Sequence, residues 1–321
     1  MDVDKPFAYT SIQKVRSLGS FSALSDESVL MYIRMAAATI NRITGQWFQA
    51  IGLSMRVSGK GDSMLHFPGV APILKISSLM LSPDSSSQAL DNYFIESGRR
   101  ILRMKVNMPG WAWVDVRWDC DYFESVSQFP RRAGSVEVQG YFGYVNAAPT
   151  VDSYNAVVPY STTTAIEFRN DTATLEVVSA HGVRAGSSVV IGSPVAEAIP
   201  LFVVAADQTT NVLTVDPMGD YLPSTIAAGA QVLSFGVVPP LIRRANALLA
   251  AKYINDDTAS TSGSISGAAT KKLIRERTED YEYELSSPAG GDTSDSDFTT
   301  GDAEVDRILA NFVIPPGVEF V

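Results

Sequence analysis

Residues 134–145 read GSVEVQGYFGYV, and residues 237–254 read VVPPLIRRANALLAAKYI. The first alternates apolar and polar side chains up to an aromatic Gly-Tyr turn, the pattern of a β-strand. The second opens on two prolines and continues with apolar residues at helical spacing, which suits a helix with Pro240 at its first position. Between them lies a block with its own grammar. TTAIEF, ATLEVVSA, SSVVIGS, IPLFVVAAD, NVLTVDP and AQVLSF are separated by Gly182, Gly186, Asp207 to Asn211, and Gly229. Strands this short and evenly spaced predict a small barrel or sandwich. The chain thus reads as a core over 1–147, an inserted β-domain over 148–236, and the second part of the core over 237–321.

Working outward, the strongest helix covers 26–44. Ser25 is its N-cap, and Asp26 and Glu27 suit the positive end of the helix dipole. Val29, Leu30, Ile33, Ala36, Ala37, Ile40 and Ile43 recur at helical spacing, and Gly45 supplies a stop. Residues 1–23 have no clear period and read as an arm. The helix from Leu241 to about Asn255 carries Leu241, Ala245, Leu248, Leu249 and Tyr253 on one face. A last helix over 302–312 shows Val305, Ile308, Leu309 and Phe312, and Pro315 and Pro316 end it. Ile33, Ile40, Leu248, Ile308, Leu309 and Phe312 are expected to pack the three helices together, because each apolar face must be buried somewhere.

From 53 to 142 the text is strand-like: two apolar runs within 64–81, a hairpin turning at Gly98, and the alternating WAWVDVRW over 111–118. Residues 256–270 and 286–301 read as Ser/Gly/Asp loops, and 274–285 as a strand. The expected fold class is α+β: a helical core with short β-strands, interrupted by a small all-β insertion.

Composition bounds function. At 321 residues, 45% hydrophobic and 19% charged, the chain is globular in type. Cys120 is the single cysteine, so no intrachain disulfide forms, which fits a reducing cytoplasm. The acidic, polar N-terminus does not read as a signal peptide, and no apolar run is long enough for a bilayer, so no membrane contact is expected. The formal net charge is -10, with eleven carboxylates between Glu276 and Asp306 against Arg277 alone. Such a run repels polyanions and argues against a nucleic-acid grip there.

No catalytic constellation emerges. His66 and His181 fall in separate predicted domains, and no paired Cys or His spacing suggests a metal. Cys120 lies between Asp119 and Asp121, which disfavour a thiolate. VSGKGDS, 57–63, lacks the glycine and Ser/Thr positions of a phosphate loop and reads as a turn. Trp111, Trp113 and Trp118 stand among Asp115, Asp119 and Asp121, so packing is a better reading than base stacking. The expectation is a non-enzyme with no cofactor, no metal and no catalytic residue.

Several segments resemble, in order and spacing, the head–tail connector (adaptor) proteins of tailed bacteriophages. A first helix ends in a T-G-x-x-F pattern, here Thr44, Gly45 and Phe48. An L-x-x-P-x-x-P-I-x-x-I run follows, here Leu65, Pro68, Pro72, Ile73 and Ile76. Then come a G-Y-x-Y-type strand (Gly140, Tyr141, Gly143, Tyr144) and V-P-x-x-I-x-x-A (Val238, Pro239, Ile242, Ala245). An E-x-x-x-Y-x-Y strand stands with wider spacing as Glu276, Tyr281 and Tyr283. Last is T-G-D-x-x-V-D-x-I-L, here Thr300, Gly301, Asp302, Val305, Asp306, Ile308 and Leu309. The match covers about two-thirds of the sequence. The block over 148–236 departs from the plain family and resembles the small inserted β-modules of several phage virion proteins.

The resemblance implies a homo-oligomeric ring, usually a dodecamer, docked under the portal protein in the virion neck and assembled in the host cytoplasm. It would extend the DNA channel, let genomic DNA pass without sequence-specific binding, and present a platform to the next neck or tail protein. Glu282, Glu284, Asp292, Asp295 and Asp297 are then expected to face the channel. Ile314, Pro315, Pro316, Phe320 and Val321 form an apolar tail expected to dock on the portal or a sister subunit. Val145 and Val238 flank the insertion, so its ends should lie close together, and it should fold separately and point away from the ring axis. Competing readings are another neck or tail-completion protein and, ranked lower, a carbohydrate-binding module of a virion.

Overall fold

In the computed structural model, the residues described are 7–67, 72–81, 86–88, 90–96, 99–104, 129–144, 150–169, 172–192, 198–216, 225–261 and 299–313. The expected strand over 274–285, the WAWVDVRW segment, Cys120, the acidic positions and the docking tail all lie outside them.

Strand β7 (Val136–Phe142), the first stretch quoted above, is flanked on both sides in its sheet. It pairs antiparallel with β1 (Ile51–Val57) and with β3 (Ile73–Leu81), and β4 (Ser86–Ser87) adds an edge. At Gly140 a Cβ would sit 2.5 Å from the Lys75 carbonyl oxygen, so only glycine allows this approach of the irregular β3 backbone. A second sheet joins β2 (Met64–His66), β6 (Ile101–Met104) and β5 (Tyr93–Ile95). Leu65, Phe67, Tyr93, Ile95, Leu102 and Phe129 pack with Val136, Val138 and Phe142 into one apolar cluster between these sheets.

The block after residue 150 forms a six-stranded antiparallel sheet. Its strands are β8 (Tyr160–Thr163), β10 (Thr174–Glu176), β11 (Ser187–Ile191), β12 (Ile199–Asp207), β13 (Val212–Val215) and β15 (Gln231–Val237), in the order β10-β13-β12-β11-β15-β8. The sheet curls into a half-barrel whose edge strands touch, through a bridge between Thr164 and Val177. A two-stranded sheet of β9 (Phe168–Arg169) and β14 (Thr225–Ile226) lies beside it. Leu175, Val189, Ile191, Leu201, Val203, Leu213 and Val232 fill the inside.

This block is packed on the rest of the chain. Val157, Val190, Ala198 and Leu233 form one buried cluster with Ala50, Leu74 and Tyr141. The Phe235 ring lies 5.1 Å from that of Tyr141, and the Ala50 N–H donates to Ser188 Oγ at 3.1 Å. β7 is consequently buried on both faces at its C-terminal end: Val136, Val138 and Phe142 serve one cluster and Tyr141 the other.

The expectation of a helical core is corrected. Among the described residues strand outweighs helix, 35% to 25%, and the strands form four antiparallel sheets. Four helices are present among the described residues: α1 (Ile12–Arg16), α2 (Asp26–Thr44), α3 (Pro240–Thr261) and α4 (Ala303–Leu309). They gather in one cluster beside the sheets. Amphipathic helices dominate the sequence pattern, whereas β2, β4, β5 and β6 are only two to four residues long and add strand without a period of their own.

The helix boundaries have local causes. Ser25 Oγ accepts the Ser28 N–H at 3.2 Å, and Gly45 closes α2 at φ 64°, where glycine alone is unstrained. α3 runs past Asn255 to Thr261. The Thr258 hydroxyl donates back to the Ile254 carbonyl at 2.8 Å, and Tyr32 of α2 donates to Asp257 at 2.5 Å. The buried face of α3 is also turned from the expected one. Ile242, Ala245, Leu249, Ala250 and Ile254 are buried, whereas Leu241 is 47% exposed. The arm is not loose: Phe7, Ala8, Tyr9, Ile12 and Val15 are all buried.

Candidate functional site

Two places bring distant parts of the chain together. The first is the helical cluster. Ile33 and Ile40 of α2 and Ile308 and Leu309 of α4 are buried in it, and Leu248 and Phe312 pack against it. All six residues expected to pack the helices are therefore together. Asn246, fully buried on α3, accepts the Tyr9 N–H at 3.3 Å and donates to the Ile33 carbonyl at 3.0 Å. Its one amide joins the arm, α2 and α3. The Tyr9 hydroxyl donates to Asn41 and accepts the Phe48 N–H, and burial pushes this phenol above its usual range.

α4 is fastened by the loop before it. Asp302 caps it, accepting the N–H groups of Glu304 at 2.9 Å and Val305 at 3.1 Å. Thr300 donates both its N–H and its hydroxyl to Asp306, each at 2.7 Å. Lys252 of α3 donates to the Thr300 carbonyl at 2.7 Å, and Arg244 pairs with Glu304 at 2.6 Å. The Phe312 ring packs edge-on against Phe48 at 5.5 Å, and its carbonyl accepts Gln46 Nε2 at 2.6 Å.

The second place is where the inserted block meets the helices. The Ile12 N–H, at the first position of α1, donates to Asp216 Oδ2 at 2.9 Å. Burial pushes the Asp216 carboxyl up to about 6, with Asp26 adding to the rise and the Ile12 N–H working against it. A cleft of about 450 Å³ opens nearby, with Lys14 and Leu18 on one side, Phe202 and Val204 of β12 on another, and Arg243 and Leu248 of α3 on a third.

Of the positions singled out in the sequence, His66 lies on β2 and His181 is exposed at a turn in the inserted block. No group of three or more His, Cys, Asp or Glu side chains converges among the described residues. No helix among them is long and apolar enough to cross a membrane. The expected docking positions Ile314, Pro315, Pro316, Phe320 and Val321, and the acidic positions Glu282, Glu284, Asp292, Asp295 and Asp297, lie outside the described residues. Sequence reasoning missed Asn246, Asp216 and Arg243. Asn246 had a signal: one amide inside the apolar run ANALLAA. The other two are single polar residues whose neighbours come from far along the chain.

Compared with known proteins, the chain matches no family model and no curated protein.

Proposed function

We propose that this chain is a structural protein of the neck of a tailed-phage particle, a connector that forms a ring beneath the portal and extends the DNA channel toward the tail. One observation supports the reading above others: most residues of the connector-like motifs that lie in the helical region have defined jobs in one cluster. Gly45 stops α2, and Phe48 is buried where Tyr9, Tyr144 and Phe312 meet. Val238, Ile242 and Ala245 are fully buried at the start of α3. Asp302 caps α4, Thr300 is tied to it through Asp306, and Val305, Ile308 and Leu309 bury its face. The reading rests on this cluster and not on the fold class as a whole.

In this reading the protein acts by position. It performs no reaction and holds no cofactor. It binds the portal on one side and the next neck or tail protein on the other, and a dodecamer is the ring size the resemblance favours. The carboxylates over 276–306 gain nothing from contact with DNA, so a channel wall built from them would let duplex slide. The test is negative-stain microscopy and co-sedimentation with purified portal. Ring-shaped particles that co-migrate with portal are expected, with no salt-sensitive micromolar affinity for duplex. A chain that stays monomeric and ignores portal would overturn the proposal.

A further inference from the structure

The cleft between the inserted block and the helices has a composition opposed to that of the chain. The whole sequence carries a net charge of -10, yet none of the described residues lining this cleft is acidic. Leu18, Phe202, Val204 and Leu248 give it apolar walls, and Lys14 and Arg243 stand at it as cations. Arg243 is seated against Gly186, where an added Cβ would fall 2.4 Å from Nη1. Its Nε is buried without a hydrogen-bond partner among the described residues. The neighbouring Arg244 is already held by Glu304. A space of this size takes a small ligand, roughly two or three side chains, and no folded surface.

The ligand that fits is a short peptide with one carboxylate among bulky apolar groups. Residues 314–321, IPPGVEFV, have this make-up: Glu319 stands between Val318 and Phe320, Val321 follows, and no residue of the segment is basic. The acidic stretch GDTSDSDF over 291–298 fits worse, with three carboxylates to one phenylalanine against largely apolar walls. We infer that the cleft takes residues 318–321 of a second copy of this chain, with Phe320 and Val321 on the apolar walls and Glu319 at Lys14 and Arg243. An aromatic anchor in a pocket, oriented by a charge pair, is how small interfaces concentrate their affinity. Cleft and tail are different surfaces, so the contact is head-to-tail, the kind that generates rings when the rotation closes. The inference rests on the ring reading for the presence of a second copy.

The test uses a labelled peptide of residues 314–321 with both ends blocked. It is titrated against the full chain carrying Phe320→Ala, whose own tail no longer competes. Saturable binding is expected, weakened at least tenfold by Lys14→Glu or Arg243→Glu in the chain and by Glu319→Lys in the peptide. If Arg243→Glu lowers the melting temperature, Lys14→Glu decides, because Lys14 is exposed. No saturable binding, or binding indifferent to the cleft substitutions, overturns the site. Wild-type chain should also self-associate with concentration, and the Phe320→Ala chain should not. Peptide binding by a chain that stays monomeric at every concentration overturns the second copy, since its own tail then fills the cleft. A chain that self-associates through the cleft yet ignores portal loses the neck reading and keeps this one.

Discussion

Asp216 accepts the backbone N–H of Ile12 across 204 residues of sequence, fastening the end of β13 to the first turn of α1. The carboxylate is largely removed from water, and its folded value of about 6 stands above the ordinary 3.8. The folded state therefore holds this proton over a range where the unfolded chain has lost it. The group's contribution is fully present below pH 4 and is lost as pH rises through about 6. Asp216→Asn keeps an acceptor for Ile12 and removes the buried charge. It should raise stability at pH 7.5 by about 1–2 kcal/mol after solvent screening, with the gain vanishing near pH 4. Urea titrations of both proteins at the two pH values check this; an equal difference at both would refute it.

Asn246→Leu keeps the side-chain volume and removes both amide contacts. The Tyr9 N–H would be left buried without its acceptor. A loss of about 2–4 kcal/mol is expected. The readout is a lower denaturant midpoint at unchanged slope, together with faster proteolysis near residue 9 as the arm releases.

Ile308→Asp places a charge on the buried face of α4, where Ile308 is 6% exposed. The cost should reach about 3–5 kcal/mol, enough to threaten a domain of ordinary stability. An unchanged melting temperature would contradict the packing of α4 on α2 and α3.

Replacing residues 148–236 by a short Gly/Ser linker asks little of loop closure. It does, however, uncover Ala50, Leu74 and Tyr141, and takes Phe202 away from the helical cluster. The trimmed chain should keep its helical circular dichroism yet bind a hydrophobic dye and melt at lower temperature. A trimmed chain as stable as the full one would mean that these shared clusters contribute nothing.

What the sequence made legible was local. The start and stop of α2 could be read from Ser25 and Gly45, because capping is written within a few residues. Most strands of the inserted block were visible from their turns, but TTAIEF spans the bend between β8 and β9 and is not a strand. The hairpin turning at Gly98 could be read as well, and it stands as β5 and β6. The balance of the fold was not visible: β4 has two residues and no periodicity to detect, and nothing local says that β1, β3 and β7 share one sheet. The arm was misread for a related reason. Phe7, Tyr9, Ile12 and Val15 follow no single period, and they are buried because partners at Gln49, Asn246 and Asp216 draw them in. The cleft needed three segments brought together, and nothing within any one of them announces it.

The closure of the helical cluster has a consequence for how the protein is made. Tyr9 waits for Asn246, and Gln46 waits for Phe312, 266 residues later. At roughly 5–20 residues per second, a ribosome needs about 15–50 s to bring α4 to α2. For most of that time Val29, Ile33 and Ile40 on the nascent chain have the arm and α1 but lack α3, whereas the half-barrel is complete once β15 emerges. Synthesis therefore favours a state in which a finished β-block hangs beside an apolar, unclosed helix, the stage at which a chaperone would find most to hold.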